Sequence, residues 1–140
     1  MSEEPRKLNF NLLDAKGAPL LKGRAFWGPP WWMTLHCAAA TYKPEKKEAF
    51  KMLIQASTVL IPCDECCKHL KGNLERYPVD DYIKNNHDLF FWTYILHDAV
   101  NQAHNEHKKD SPPKISPTFE FIKSIYFTAL GEECAGCTPI

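Results

Sequence analysis

Three cysteines fall within five positions of LIPCDECCKHL (60–70), directly after Pro62, with Asp64 and Glu65 between the first pair. Thiols so placed can turn over as a dithiol and disulfide, ligate a metal, or sit in a core as small apolar groups. Residues three apart share a helix face, so Cys63 and Cys66 meet the demands of a disulfide if the first opens a helix, where Pro62 puts it. At that opening, unpaired N–H groups and the helix dipole favour a thiolate, whereas the two acids oppose it; spacing alone does not sign the shift. A second pair, Cys134 and Cys137, lies in a C-terminal tail where Gly136 and the lack of an apolar anchor predict the mobility a shuttle needs. Two such pairs also suggest zinc, but compact zinc modules separate their pairs by roughly 15–20 residues, and here most of the chain intervenes. Cys37 and Cys67 read as buried small thiols or, alternatively, as a structural bridge.

A redox dithiol must hand its electrons on, and thiols reduce oxygen poorly without a cofactor that handles one- and two-electron steps. No G-x-G-x-x-G occurs among the six glycines, which excludes a Rossmann dinucleotide site, so any flavin binds among helices. His97, Val100, Asn101 and His104 recur at i, i+3, i+4 and i+7 and line one helical stripe. Singly, each histidine is more often a satisfied core or surface group, and His97 with Asn101 can bond to nearby backbone. A zinc pair at His97 and His104 has poorer spacing than H-E-x-x-H. The stretch from His104 to Lys109 also reads as a solvated, partly basic helix end. Trp27, Trp31 and Trp32 are core residues at helical spacing or, with His36 one turn beyond Trp32, a platform for a ring system.

The elements that must position these groups are helices. Pro29 and Pro30 are expected at the start of a helix over 27–42 that aligns Trp32, Leu35, His36 and Ala39. A second helix over 44–61 aligns Phe50, Leu53, Ile54 and Ser57; a third runs through the cysteines and 68–77. A long fourth helix, 87–109, draws its apolar face from Phe91, Ile95, Val100 and neighbours, and a fifth spans 118–130. Strand alternation, hairpin dipeptides and internal repeats are absent, so the expected fold is an all-α bundle. It divides into an arm over 1–24, a helical domain over 25–130 and a tail over 131–140.

The 140 residues suffice for one domain with its own core, so disulfides are not needed to hold it folded. Seventeen basic residues balance seventeen acidic ones, and no net field recommends nucleic acid or an anionic membrane as partner. The first 25 residues hold no apolar run suited to a signal peptide, and no later run spans a membrane; the expectation is a protein that is not secreted. Six cysteines without a leader point towards chemistry, because the cytosol keeps ordinary thiols reduced.

In order and interval these segments resemble the Erv/ALR family of FAD-dependent sulfhydryl oxidases. WGPPWWMTLH (27–36) resembles the family's W-x-x-L-H helix, PCDEC (62–66) its P-C-x-x-C, and HDAVN (97–101) its H-N-x-V-N, with Trp92 five residues before His97. The resemblance implies a four-helix bundle plus a short fifth helix, usually a homodimer, with FAD at the mouth of the bundle. It implies that Cys66 lies against the isoalloxazine, that Cys63 is the outer, exchanging thiol, and that Cys134 and Cys137 form the shuttle. Cofactor contacts would come from Trp32, His36, Tyr42, Cys66, Trp92, His97, Val100, Asn101 and His104. Asp98 stands where the family has Asn, and Ala103 and Glu106 replace basic residues that meet the FAD phosphates, which leaves Lys108, Lys109 or Lys123 as substitutes. The implied reaction passes electrons from thiol-containing protein substrates through both cysteine pairs and FAD to O2, giving H2O2. The cysteine pair that pins the C-terminal region of cellular members is missing, an economy shared by compact members encoded by large DNA viruses. That implies host cytoplasm or virion for a viral enzyme, and the mitochondrial intermembrane space for a cellular one. A zinc-binding helical module and a non-catalytic adaptor disulfide-linked to a partner remain the alternatives.

Overall fold

Cys63, Asn85 and Thr118 open three helices by one device: each is extended, and its side chain accepts the backbone N–H three residues on, from Cys66, Asp88 and Phe121. The computed structural model describes residues 12–131. Its helices are α1 (Arg24–Ala40), α2 (Lys47–Leu60), α3 (Asp64–Arg76), α4 (Asn86–His107) and α5 (Phe119–Leu130), with short 3-10 turns at Pro44–Lys46 and Val79–Asp81. Among the described residues there is no strand, only an isolated bridge between Leu13 and Pro19, and the all-α expectation holds. No helix among the described residues is long and apolar enough to cross a membrane.

The chain divides into two units, Met1–Trp32 and Met33–Ile140, with the boundary inside α1. In the first, Asp14 closes a turn: its Oδ1 accepts from Lys16 N at 2.8 Å and Ala18 N at 3.0 Å, and Gly17 supplies the left-handed φ of +79°. Gly23, also at positive φ, then starts α1 by accepting at its carbonyl from Phe26 N (2.9 Å) and Trp27 N (3.2 Å). Pro29 and Pro30 therefore lie inside α1 and do not begin it. The preceding turn is already closed at Gly23, and the helix forgoes two interior N–H donors to continue. Trp31 and Trp32 meet edge to face at 4.6 Å.

In the second unit α4 carries the core. Leu89, Trp92, Thr93 and Leu96, at i, i+3, i+4 and i+7, are fully buried, with Phe90 beside them. This corrects the apolar face read from sequence: Phe91 is 40% exposed, and Ile95 and Val100 are half-buried. The run LFFWTYIL is apolar almost all round, so periodicity does not select a face; the neighbours do. Phe50 of α2 meets Trp92 at 6.1 Å, while Phe90 packs against His36, Phe119, Tyr126 and Phe127. Three polar anchors fix the connections: Tyr42 Oη donates to Ile83 O (2.9 Å), Trp92 Nε1 to Tyr77 O (2.8 Å) and Asn86 Nδ2 to Ala40 O (3.0 Å). Among the described residues, every buried side-chain nitrogen and oxygen has a partner.

Candidate active site

Pro62 ends α2 and turns the chain so that Cys63 N donates to Ile61 O at 2.7 Å, leaving Cys63 as the N-cap of α3. A disulfide joins Cys63 to Cys66 across 5.2 Å between Cα atoms. Both residues are half-buried, so their sulfurs sit at the surface of a helix start. Cys66 N donates to Cys63 Sγ at 3.2 Å, and this bond with the helix dipole favours negative charge on that sulfur once the bridge opens. Asp64 and Glu65, in the same first turn, are exposed to water, which screens their opposing charge.

Cys67, next in sequence, is buried and its S–H donates to Ile61 O at 3.4 Å. Cys37 is half-buried, and burial raises its thiol pKa. Both are free, so the bridge entertained between them does not form. Cys134 and Cys137, the expected shuttle, lie outside the described residues. Among the described residues, no cluster of three His, Cys, Asp or Glu side chains is placed to hold a metal.

The structure joins His36 of α1 to His97 of α4. His36 Nδ1 lies 2.8 Å from Thr93 Oγ1 and Nε2 lies 3.2 Å from His97 Nδ1, with the two rings stacked at 5.4 Å and Tyr126 edge-on to His36 at 5.3 Å. Burial, and then the neighbouring His97, lower the His36 pKa to about 3. Burial and then the Lys114 cation lower that of His97 to about 4, against the opposing pull of Asp98. Both rings are therefore neutral at pH 7. An unfolded chain takes up these protons near pH 6.5, whereas the folded one refuses them down to about 4 and 3. More protons bind to the unfolded state inside that window, so stability is full above pH 6.5 and drains as pH falls through it. The thermal midpoint should drop by roughly 5 °C or more between pH 7 and pH 4.5; a midpoint unchanged across that interval would contradict the buried pair.

The predicted cofactor residues separate by exposure. Tyr42 and Trp92 are buried, with hydroxyl and indole N–H committed to the Ile83 and Tyr77 carbonyls. Cys66, His97, Val100, Asn101 and His104 are half-buried, as is Trp32 in the first unit. Lys108 is exposed and caps α4 through its N–H to His104 O at 2.8 Å; Lys123 extends over the Phe119 and Phe127 rings.

The loop between α4 and α5 runs back along α4 and is pinned at one-turn intervals. Asn105 exchanges two bonds with the Lys114 backbone (2.7 and 2.8 Å), Asn101 Nδ2 donates to Ser116 Oγ (3.0 Å), Ser116 Oγ to Asp98 Oδ1 (2.6 Å), and Tyr94 Oη to Pro117 O. Asp98, the family's Asn, thus accepts from Ser116 and from Gln102. The pinning brings the Lys114 charge to His97, a placement that sequence reasoning missed. Lys114 sits in SPPKISP, between the fourth and fifth expected helices, and no periodicity crosses that stretch. Thr93 was missed because a threonine on an apolar helix carries no motif.

A half-buried stripe with imidazole, amide and methyl groups, next to a cation held by the backbone, suits an aromatic ring system that carries phosphates. The model of the Erv1/Alr family matches residues 29–122. The chain belongs to the Erv1/Alr family. Within it, the chain is 30% identical over 115 residues to the FAD-linked sulfhydryl oxidase of one African swine fever virus isolate, covering 74% of this chain and 94% of the relative. A second isolate's protein of that name is 29% identical over the same coverage. A protein of Invertebrate iridescent virus 3 is 31% identical over 84 residues, 57% of each chain. No solved structure matches the chain. As an Erv1/Alr member, the chain keeps the P-C-x-x-C of its family as a formed disulfide at the mouth of α3.

Proposed function

We propose that this chain is a FAD-linked thiol oxidase that converts thiols of protein substrates to disulfides, 2 R–SH + O2 → R–S–S–R + H2O2. The observation that carries it is the Cys63–Cys66 disulfide capping α3 in a chain of the Erv1/Alr family. A substrate thiolate attacks Cys63 Sγ; the S–S bond breaks, a mixed disulfide forms, and Cys66 leaves as a thiolate. A second substrate thiolate attacks the substrate sulfur of that mixed disulfide, releasing R–S–S–R and the Cys63 thiolate. FAD, when bound, supplies the two-electron acceptor that returns the cysteine pair to the disulfide and delivers the electrons to O2.

Cys66, His97, Val100, Asn101 and His104 are the residues proposed to hold the ring system, and Lys114, with Lys108, to meet the phosphates that Ala103 and Glu106 cannot. His36 is retained as a cofactor residue of α1, whereas Tyr42 and Trp92 serve by fixing the scaffold. Cys134 and Cys137 are proposed as the shuttle between substrate and Cys63. A helical domain over 25–130 with a tail over 131–140 and a homodimer complete the reading, and the viral relatives support a viral enzyme of host cytoplasm or virion.

The test is the absorption spectrum of the purified protein. A yellow protein releasing about one flavin per chain on denaturation is expected, and Lys114→Ala should weaken FAD retention roughly tenfold, the scale of one charged hydrogen bond. Colourless protein with stoichiometric zinc would favour the metal module, and colourless metal-free protein the adaptor.

A further inference from the structure

We propose that Thr93 is a positioning residue: its buried hydroxyl sets both histidines of the pair as Nδ1–H tautomers, so that His97 offers an unprotonated Nε2 as hydrogen-bond acceptor on the α4 face assigned to FAD. The argument is one of counting protons. Thr93 Oγ1 is 2.7 Å from Phe90 O and 2.8 Å from His36 Nδ1. A carbonyl oxygen only accepts, so the single hydroxyl proton points to Phe90 O, and Thr93 can meet His36 only by accepting. His36 must therefore carry its proton on Nδ1. Its Nε2 is then bare, and His97 Nδ1 at 3.2 Å must donate to it. With its one proton spent there, neutral His97 has a lone pair on Nε2. A residue in the helix core, fully buried and outside the three motifs that carry the family likeness, thereby decides the polarity of a group at the site.

The inference rests on the proposed FAD-binding face and adds the chemistry of recognition, an acceptor for an N–H or O–H donor of the cofactor. Replacing Thr93 with valine keeps the shape and puts a methyl where the acceptor stood. An Nδ1 proton on His36 then faces that methyl, so the proton moves to Nε2, the bond to His97 reverses, and His97 becomes Nε2–H, a donor in place of an acceptor. Thr93→Ser retains the hydroxyl and should keep the parent pattern.

Nitrogen-15 long-range correlation spectra of the histidine side chains in the flavin-loaded protein read these tautomers directly. In the parent and T93S, His36 and His97 should both be Nδ1–H. In T93V both should be Nε2–H, with FAD retention weakened about tenfold and restored in T93S. The parent spectrum decides by itself if T93V does not fold: an Nε2–H form of His36 there overturns the proposal. So does a T93V protein that keeps the parent tautomers, or one that switches them with no change in FAD retention. Failure of the parent to bind FAD at all would instead sink the oxidase reading, which the tautomer pattern does not touch.

Discussion

Cys66→Ser should abolish oxidation of dithiothreitol, lowering turnover by about 10³-fold or more, equivalent to roughly 4 kcal/mol of barrier. In the proposed reaction the Cys63–Cys66 disulfide receives the substrate's electrons, and a lone Cys63 can be neither attacked as a disulfide nor resolved into one. Cys63→Ser should fail equally, because residues acting as one unit lose everything together. The loop closed by this bridge spans only three residues of sequence separation, so the chain-entropy contribution lost with it is about 2 kcal/mol, leaving a folded protein to assay. Oxygen consumption with dithiothreitol is the measurement. Substituting Cys134 and Cys137 should slow protein substrates more than this small dithiol. A C66S enzyme that consumes oxygen at the parent rate would end the assignment.

Trp92→Ala should cost the fold about 3–5 kcal/mol, a large share of the roughly 5–15 kcal/mol by which domains are stable. The ring is fully buried against Phe50, and its N–H satisfies the Tyr77 carbonyl at the α3 exit. Truncation leaves both a cavity and an unmet carbonyl. Trp92→Phe keeps most of the volume and forfeits the hydrogen bond, an expected loss of about 1–2 kcal/mol. Urea unfolding of both variants tests this, read together with the flavin content of Trp92→Phe. A scaffold residue costs stability and leaves flavin retention near the parent; a residue that contacts the cofactor does the reverse. Alanine at 92 shifting stability by less than about 1 kcal/mol would refute the core assignment.

These predictions separate residues that family likeness places in one set. Trp92 stands five positions before His97, and sequence spacing treats both as cofactor groups. Packing does not: the indole is enclosed, whereas His97 stays half-buried at the end of a chain of hydrogen bonds that begins at Phe90. Phe91 illustrates the same limit. In a helix apolar all round, hydrophobic period carries little information, and the side that meets α2 and α5 becomes the core. The prolines of α1 carry a start signal in sequence, yet Gly23 closes the first turn before them.

What the amino-acid sequence determined by itself was local: five helices, the proline that halts α2, and two thiols three apart at a helix opening. Those follow from turn geometry and capping, which involve neighbours a few residues away. Only the tertiary structure decided which face of α4 is buried, that Lys114 comes to His97 by way of Asn105, and that Thr93 meets His36 across 57 residues. Charge and protonation at the site depend on distances between segments remote in sequence, and no pattern of residue types encodes those distances until the helices have packed.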